Sequence, residues 1–149
     1  MSDQVFHILL VEDNSADAYL IRTALENAEL NFELLLLEDG AEALAFVRGE
    51  GKYAASQAPD LVVLDLNLPK SEGIEVLQAI RQSQRLANLP VVITSSSSSP
   101  HERAKAEQLL VERYIMKPPD LEDFLQIGKV LKQVLLENKA RQLMKRTVP

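Results

Sequence analysis

The chain has 149 residues, which fits one compact domain of ordinary size and leaves little room for a second. Apolar residues make up 46% of the sequence and charged residues 26%, so a soluble globular protein with a full core is expected. The net charge of −6 disfavours nonspecific binding to nucleic acid, the absence of cysteine excludes disulfides and thiolate catalysis, and no apolar run is long enough to span a bilayer.

Short apolar runs alternate with helical patterns from one end of the chain to the other. The runs predict five strands, at residues 8–11, 32–37, 61–66, 91–94 and 114–116. Apolar residues at helical spacing predict five helices. The first starts at a Ser15 cap, the second and third cover residues 41–48 and 73–82, the fourth opens at Ser99, and the fifth runs from near Leu121 to about Met144. Ser99 and Glu102 have the spacing of a capping box, with proline in the first turn.

This alternation predicts an α/β fold, a doubly wound parallel sheet whose two faces are covered by helices on right-handed crossovers. The whole chain, residues 1–149, is expected to form one domain, with a core over about residues 6–135 and a helical C-terminal extension over 136–149. In such sheets, ligands bind beyond the carboxyl ends of the strands, near the point where strand order reverses. Functional residues are therefore expected where strands end.

Polar side chains do stand at the predicted strand ends. Glu12 and Asp13 follow the first strand, Asp65 interrupts the apolar third strand, and Ser95 and Lys117 follow the fourth and fifth. Three carboxylates at one sheet edge repel one another unless a cation lies among them, and oxygen ligands are those that Mg²⁺ prefers. Each residue alone also fits an ordinary turn or a solvated loop, but together they predict one site.

The combined chemistry is phosphoryl transfer to a carboxylate. Asp65 is the candidate nucleophile, and its attack on phosphorus gives an acyl phosphate. Mg²⁺ held by the acidic residues offsets charge in the transition state. Lys117 can reach one phosphoryl oxygen as a point charge, and the Ser95 hydroxyl can donate a hydrogen bond to another.

Three segments of the chain resemble those of response-regulator receiver domains. They are the sequences ILLVEDN at residues 8–14, LDLNLP at 64–69 and YIMKP at 114–118. The resemblance runs from about Phe6 to the middle of the last helix, so it covers nearly the whole chain. It implies a flavodoxin-like sheet with strand order 2-1-3-4-5.

The resemblance also implies roles for individual residues. Asp65 would be phosphorylated by a histidine kinase or a phosphotransfer protein, and Mg²⁺ would be held by Glu12, Asp13, Asp65 and the main-chain carbonyl of Asn67. Ser95 and Tyr114 would form the switch pair, in which Ser95 moves to the phosphoryl group and Tyr114 rotates inward.

Three local features of the sequence bear on this assignment. Ser95, rather than the adjacent Thr94, is assigned as the switch hydroxyl because it lies five residues after Pro90, as in the family. The family commonly has a cis peptide bond before the proline at position 118. The long loop before the third strand and the segment at residues 66–70 resemble the small response regulators that are paired with phytochrome-like kinases.

Two alternative functions remain open on the same fold. A Mg²⁺-dependent phosphatase or phosphotransferase needs an acid/base carboxylate two residues after the nucleophile, where this chain has Asn67. A binding module that is not phosphorylated is the other alternative, and the complete set of five polar residues disfavours it.

No output module follows the last helix, so the surface of the fourth helix, fifth strand and fifth helix is expected to signal to a downstream protein. Leu135, Leu136, Leu143 and Met144 extend the apolar pattern, which fits either a homodimer interface or a tail that packs on itself. The basic residues near the C-terminus suit the end of a solvated helix, so neither nucleic acid nor membrane is an expected partner. No secretory signal is visible, and a cytoplasmic location is expected.

Overall fold

The computed structural model describes residues 4–69, 72–97 and 99–147. The strands are β1 (Phe6–Val11), β2 (Phe32–Leu37), β3 (Leu61–Asp65), β4 (Val91–Ser95) and β5 (Arg113–Met116). The helices are α1 (Ser15–Asn27), α2 (Gly40–Arg48), α3 (Glu72–Gln82), α4 (Pro100–Gln108), α5 (Leu121–Leu125) and α6 (Ile127–Thr147). Lys70 of the phytochrome-type segment and the last two residues of the predicted extension lie outside the described residues.

All five strands are parallel and form one sheet in the order β2-β1-β3-β4-β5. Both β3 and β4 are buried along their whole length, because helices cover both faces of the sheet. The strand order and the two helical layers confirm the predicted doubly wound, flavodoxin-like fold. The strand order reverses between β1 and β3, which places the predicted ligand site at the carboxyl ends of these two strands.

Side chains of the central strand alternate between two apolar cores. Val62 and Leu64 of β3 belong to a core with α2 and α3, whereas Leu61 and Val63 belong to a core with α1, α5 and α6. Because neighbouring side chains in a strand point to opposite faces, four consecutive apolar residues are buried on two sides. This burial holds the carboxyl end of β3, and therefore Asp65, in a fixed place.

The residue that caps α1 differs from the sequence prediction, whereas the residue that caps α4 agrees with it. Asn14, not Ser15, caps α1, because its backbone is extended and its side chain accepts a hydrogen bond from the Asp17 N–H. Ser99 caps α4 as predicted and accepts a bond from the Glu102 N–H. The Ser99 N–H donates to the Ser97 hydroxyl instead of completing a capping box.

The last predicted helix is two helices in the structure, α5 and α6, which are separated at Gln126. The N–H groups of Gln126 and Lys129 bond to carbonyls three residues earlier, as in a tight turn. Just after this break, α6 lies so close to α1 that a Cβ added at Gly128 would be 2.0 Å from the Ala24 carbonyl oxygen.

Two further features of the backbone concern the loops. The predicted loop at residues 49–59 contains one short 3₁₀ turn, Gly51–Tyr53. The described residues contain no cis peptide bond, so the expected cis bond before Pro118 is wrong for this structure; the trans form is the more stable isomer even before proline.

No helix within the described ranges has the length and apolar composition required to cross a membrane.

Candidate functional site

The carboxyl edge of the sheet brings together side chains from four strand ends. Asp65 and Ser95 are the last residues of β3 and β4, while Glu12 and Lys117 directly follow β1 and β5. Glu12 is 1% exposed and Asp65 is 3% exposed, although both are acidic. Buried carboxylates are stable only when they are paired or bind a cation, so the partners of these two groups define the site.

The ammonium group of Lys117 lies among three carboxylates. Its Nζ atom is 2.9 Å from Glu12 Oε1, 3.0 Å from Asp65 Oδ2 and 2.8 Å from Asp17 Oδ2. An ammonium group has three N–H donors, and each of them has one of these acceptors. Lys117 therefore links the ends of β1 and β3 to the first turn of α1.

Asp17 is a site residue that the sequence interpretation missed. It lies in the first turn of α1, four residues after Asp13, and its carboxylate turns back towards the sheet edge. That four-residue spacing could have indicated Asp17 as a site residue, because a residue one helical turn after the end of β1 stays near the carboxyl edge of the sheet. Acidic residues are also favoured in a first turn for the helix dipole alone, which makes the signal weak.

Burial and the neighbouring charges shift the pKa values of Glu12 and Lys117. Burial raises the pKa of Glu12 to about 8, and the hydrogen bond to Asp65 acts in the same direction, whereas the Lys117 ammonium opposes both. For Lys117, burial alone lowers the pKa, but hydrogen bonds to Asp17 and Glu12 outweigh it and raise the pKa above its usual value. Without a metal, the site thus retains an ammonium group and tends to hold a proton on Glu12.

The acidic residues satisfy the requirements of a small divalent cation. Glu12, Asp13 and Asp65 each offer a carboxylate oxygen, and these oxygens lie within 4.8 Å of one another. Asp13 is exposed, whereas the other two are buried, so the cluster opens to solvent on one side. An all-oxygen cluster of this charge fits Mg²⁺ or Mn²⁺, which bind carboxylates and retain water ligands.

Asn67, two residues after Asp65, contacts both the acidic cluster and the loop after β4. Its N–H donates to Asp65 Oδ1 at 2.8 Å. Its side-chain oxygen accepts hydrogen bonds from the Ser95 hydroxyl at 2.9 Å and from the Ser96 N–H at 2.7 Å. The Ser97 N–H in turn donates to the Ser95 hydroxyl. The hydroxyl of Ser95 is therefore held by Asn67 and its own loop, not by Asp65.

Tyr114 and Thr94 place polar atoms in the apolar cores. Neither the Tyr114 hydroxyl nor the Thr94 hydroxyl has a hydrogen-bond partner among the described residues, although both atoms are buried. The guanidinium of Arg103 on α4 lies over the Tyr114 ring, 5.3 Å from its centroid. Tyr114 pairs with Ile93 across β4 and β5, so its ring lies on the same face of the sheet as the Ser95 side chain.

Comparison with known proteins shows which family has this sequence and this fold. The profile of the family described as "Response regulator receiver domain" matches residues 8–129. The chain is 38% identical to the response regulator Rcp1 of Synechocystis sp. over 130 residues, which cover 87% of this chain and 88% of Rcp1.

Two solved structures are similar over most of the chain. One is the phosphorylated cyanobacterial phytochrome response regulator RcpA, with a TM-score of 0.83 and 41% identity, covering 91% of this chain and 96% of RcpA. The other is the Mn²⁺-bound form of Rcp1, with a TM-score of 0.79 and 37% identity, covering 85% of this chain and 91% of Rcp1.

The chain belongs to the response-regulator receiver domain family. Members of this family are signalling modules of two-component systems, which accept a phosphoryl group from a histidine kinase or another phosphodonor and act on a downstream partner. Receiver domains bind Mg²⁺ or Mn²⁺ at their acidic pocket, and the cluster at the edge of this sheet provides one. The chain is thus a phosphoryl-accepting response regulator with a divalent metal as its cofactor.

Proposed function

We propose that Asp65 is the residue that accepts the phosphoryl group. One observation carries this proposal: of the two buried carboxylates in the acidic cluster that contact the Lys117 ammonium, Asp65 is the one that also accepts a hydrogen bond from the N–H of Asn67, whose side chain holds the Ser95 hydroxyl. An Asp65 carboxylate oxygen attacks phosphorus, and the bond between phosphorus and the donor's histidine nitrogen breaks. The nitrogen leaves with the electron pair of that bond, and the product is an acyl phosphate on Asp65.

The residues around Asp65 have distinct roles in this proposal. Glu12, Asp13, Asp65 and the main-chain carbonyl of Asn67 hold the metal. When bound, Mg²⁺ offsets negative charge on the phosphoryl oxygens during transfer. Lys117 supplies a positive charge on the opposite side and reaches a phosphoryl oxygen as its contacts with the carboxylates rearrange. The chain catalyses only its own phosphorylation and dephosphorylation and has no other substrate.

Phosphorylation then changes the surface formed by α4, β5 and the fifth predicted helix, which is α5 followed by α6 in the structure. The Ser95 hydroxyl leaves Asn67 to donate to a phosphoryl oxygen, which draws the loop after β4 towards Asp65. Tyr114 follows because its ring lies on the same face as Ser95 and against Arg103 of α4. This new hydrogen bond exists only in the phosphorylated state, and such a difference is what shifts a two-state equilibrium.

Rcp1 and RcpA supply the support for a narrower assignment. RcpA is a phytochrome response regulator, and this chain matches it over 91% of its own length. We therefore propose that the cognate donor is a phytochrome-like histidine kinase in the cytoplasm, and that the chain acts as a stand-alone receiver. Its core then covers about residues 6–135 and its extension 136–149; Leu135 is the last buried residue of α6.

The extension also supports a homodimer as part of this proposal. Leu136 and Leu143 on α6 are 49% and 50% exposed, and their seven-residue spacing places them on one side of the helix. These exposed leucines speak against a tail that packs on itself. In sedimentation, Leu143→Asp is expected to shift the chain towards monomer, whereas Leu121→Asp, which also removes an exposed leucine, leaves the dimer intact. A wild-type chain that is monomeric with and without phosphorylation would contradict the dimer.

Incubation with acetyl phosphate tests the central proposal. With Mg²⁺, the intact mass of the wild-type chain is expected to rise by one phosphoryl group, and with a chelator it is not. Asp65→Asn removes the nucleophile and abolishes the gain, whereas Asp123→Asn, a change at an exposed aspartate of α5, preserves it. A wild-type mass that stays unchanged with Mg²⁺, or a phosphorylated Asp65→Asn variant, would overturn the assignment of Asp65.

The phosphatase alternative lacks a group that could act as the acid or base. The side chain two residues after Asp65 is the Asn67 amide, and its oxygen already accepts the hydrogen bonds from Ser95 and Ser96. Multiple turnover of a phosphate ester would be needed to support that function.

A further inference from the structure

We propose that Asp17 is a positioning residue for phosphoryl transfer, which holds the Lys117 ammonium in place when the other two carboxylates release it. The inference rests on the proposed function of Asp65. It assigns to α1 a role in the chemistry beyond that of covering the sheet.

The three acceptors of Lys117 belong to two different groups. Glu12 and Asp65 are members of the acidic cluster whose oxygens lie within 4.8 Å of one another. Asp17 is not a member of that cluster and comes from the first turn of α1. The Glu12 and Asp65 carboxylates are thus also candidates to bind the metal or the phosphoryl group, whereas the Asp17 carboxylate is not.

This difference determines which contact of Lys117 can persist. As the Glu12 and Asp65 carboxylates turn to other partners, Lys117 loses two of its three hydrogen bonds. The bond to Asp17, at 2.8 Å the shortest of the three, places no demand on the cluster and can remain. Lys117 then bridges Asp17 and a phosphoryl oxygen. A four-carbon side chain without such an anchor has many other rotamers, so the ammonium would be poorly placed for transfer.

The position of Asp17 suits an anchor. Its backbone N–H is fixed by the Asn14 cap of α1, so the residue stands on a helix and not on a loop. Its side chain lines a cavity of about 320 Å³ together with Lys117, Ser96 and Pro118. Because the carboxylate faces this open space, replacement by asparagine has the same shape and needs no repacking of the core.

Phosphorylation rates at saturating Mg²⁺ test the proposal, with acetyl phosphate as the donor. Asp17→Asn keeps the shape and removes the charge, and it is expected to slow transfer by roughly tenfold, because a misplaced catalytic group commonly costs that much or more. Glu26→Gln is the matched control, since it removes one negative charge from an exposed position on the same helix. The control is expected to change the rate by less than about twofold, as exposed charges are screened.

A double-mutant cycle separates positioning from a structural role. In a Lys117→Met background, Asp17→Asn is expected to alter the residual rate of phosphorylation by less than about twofold, because Asp17 then has no ammonium group to position. A role in folding alone would lower the free energy of unfolding and leave the rate of the folded single variant unchanged.

The outcomes distinguish this inference from the proposed function. If the wild-type chain is phosphorylated on Asp65 and Asp17→Asn transfers at the wild-type rate, the anchor is refuted while the phosphoacceptor stands. An equal slowing in the wild-type and Lys117→Met backgrounds also refutes it. A wild-type chain that gains no phosphoryl group refutes the proposed function itself.

Discussion

The side-chain oxygen of Asn67 accepts a hydrogen bond from the Ser95 hydroxyl at 2.9 Å, and the same oxygen accepts one from the Ser96 N–H at 2.7 Å. One amide oxygen thus fixes both the hydroxyl at the end of β4 and the start of the loop that leads to α4. Since Asn67 also donates its N–H to Asp65, it connects the phosphoacceptor candidate to that loop through its backbone and its side chain. Ser95 must break its bond to Asn67 before it can contact a phosphoryl group.

Asn67→Ala removes this acceptor and keeps the main-chain carbonyl that we assign to the metal. The amide hydrogen of Ser96 is expected to exchange with solvent roughly fivefold faster in the unphosphorylated variant, because a net hydrogen bond is worth about 1 kcal/mol. Hydrogen exchange followed by NMR measures this directly. Asn88→Ala, at an exposed asparagine of the loop between α3 and β4, should have no effect on the Ser96 amide. Unchanged exchange in the Asn67 variant would show that its side chain does not hold the loop.

Tyr114→Phe tests the finding that the Tyr114 hydroxyl is buried without a partner among the described residues. Because nothing is lost when an unpaired polar atom is removed, the free energy of unfolding is expected to stay the same or rise by up to about 1 kcal/mol. Urea denaturation of the unphosphorylated protein measures it. The matched control is Tyr53→Phe, whose hydroxyl donates to Glu42 and whose loss should destabilise by about 1 kcal/mol. A destabilised Tyr114 variant would mean that this hydroxyl does have a partner.

The raised pKa of Glu12 makes the stability of the metal-free protein depend on pH. The pKa in the folded state is about 8 and the ordinary value is 4.5, so between these values the folded state holds a proton that the unfolded state has lost. The contribution of Glu12 to stability is therefore fully present below the lower pKa and is lost as pH rises through the window, by about 1 kcal/mol per pH unit. Urea denaturation with a chelator at several pH values gives the slope.

The control for this pH dependence is Glu12→Gln. Glutamine carries no titratable proton, so the slope that belongs to Glu12 should disappear, while any pH dependence from other groups remains in both proteins. Equal slopes in the two proteins would assign the pH dependence to other groups.

The sequence was sufficient to predict which distant residues meet. Asp65 and Lys117 are 52 residues apart in the chain, and their charged atoms lie 3.0 Å apart in the structure. Both ends of this contact could be predicted, because each residue ends a strand and parallel strands bring their carboxyl ends to one edge. The phosphoacceptor role itself comes from the motifs shared with the family and stays a prediction until Asp65 is tested.

Other features of the site depend on geometry that the sequence pattern does not contain. Asp17 reaches Lys117 because α1 is oriented about its axis so that this side chain faces the sheet edge. The sequence does not contain this orientation, since an acidic residue is favoured in the first turn of a helix whichever way the side chain faces. The apolar spacing continues through Gln126, so the break between α5 and α6 left no periodic signal. Asn14 and Ser15 are both good caps, and the extended backbone of Asn14 decides between them.

Arg81 on α3 fixes the end of α4 that lies away from the acidic site. Its guanidinium donates to the carbonyls of Leu109 and Leu110, which follow α4, and to those of Ala87 and Leu89 before β4. These bonds range from 2.7 to 3.0 Å, and burial lowers the pKa of Arg81. No flexible ammonium reproduces this planar fork of donors. Movement of the α4 surface on phosphorylation should therefore begin at the Ser99 end of the helix, while the Arg81 end stays in place.

Arg81→Met tests this attachment, since it keeps the apolar stem and removes every donor. The free energy of unfolding is expected to fall by about 3 kcal/mol, because four carbonyls, three of them in part-buried hydrogen bonds, lose a charged donor whose bonds are worth more than neutral ones. Arg81→Lys should recover only part of that loss, and Arg22→Met, at an exposed arginine of α1, should change stability by less than about 0.5 kcal/mol. Full recovery by lysine would show that the positive charge, and not the fork of donors, stabilises the end of α4. A methionine variant as stable as the wild type would mean that the α3–α4 attachment rests on apolar packing alone.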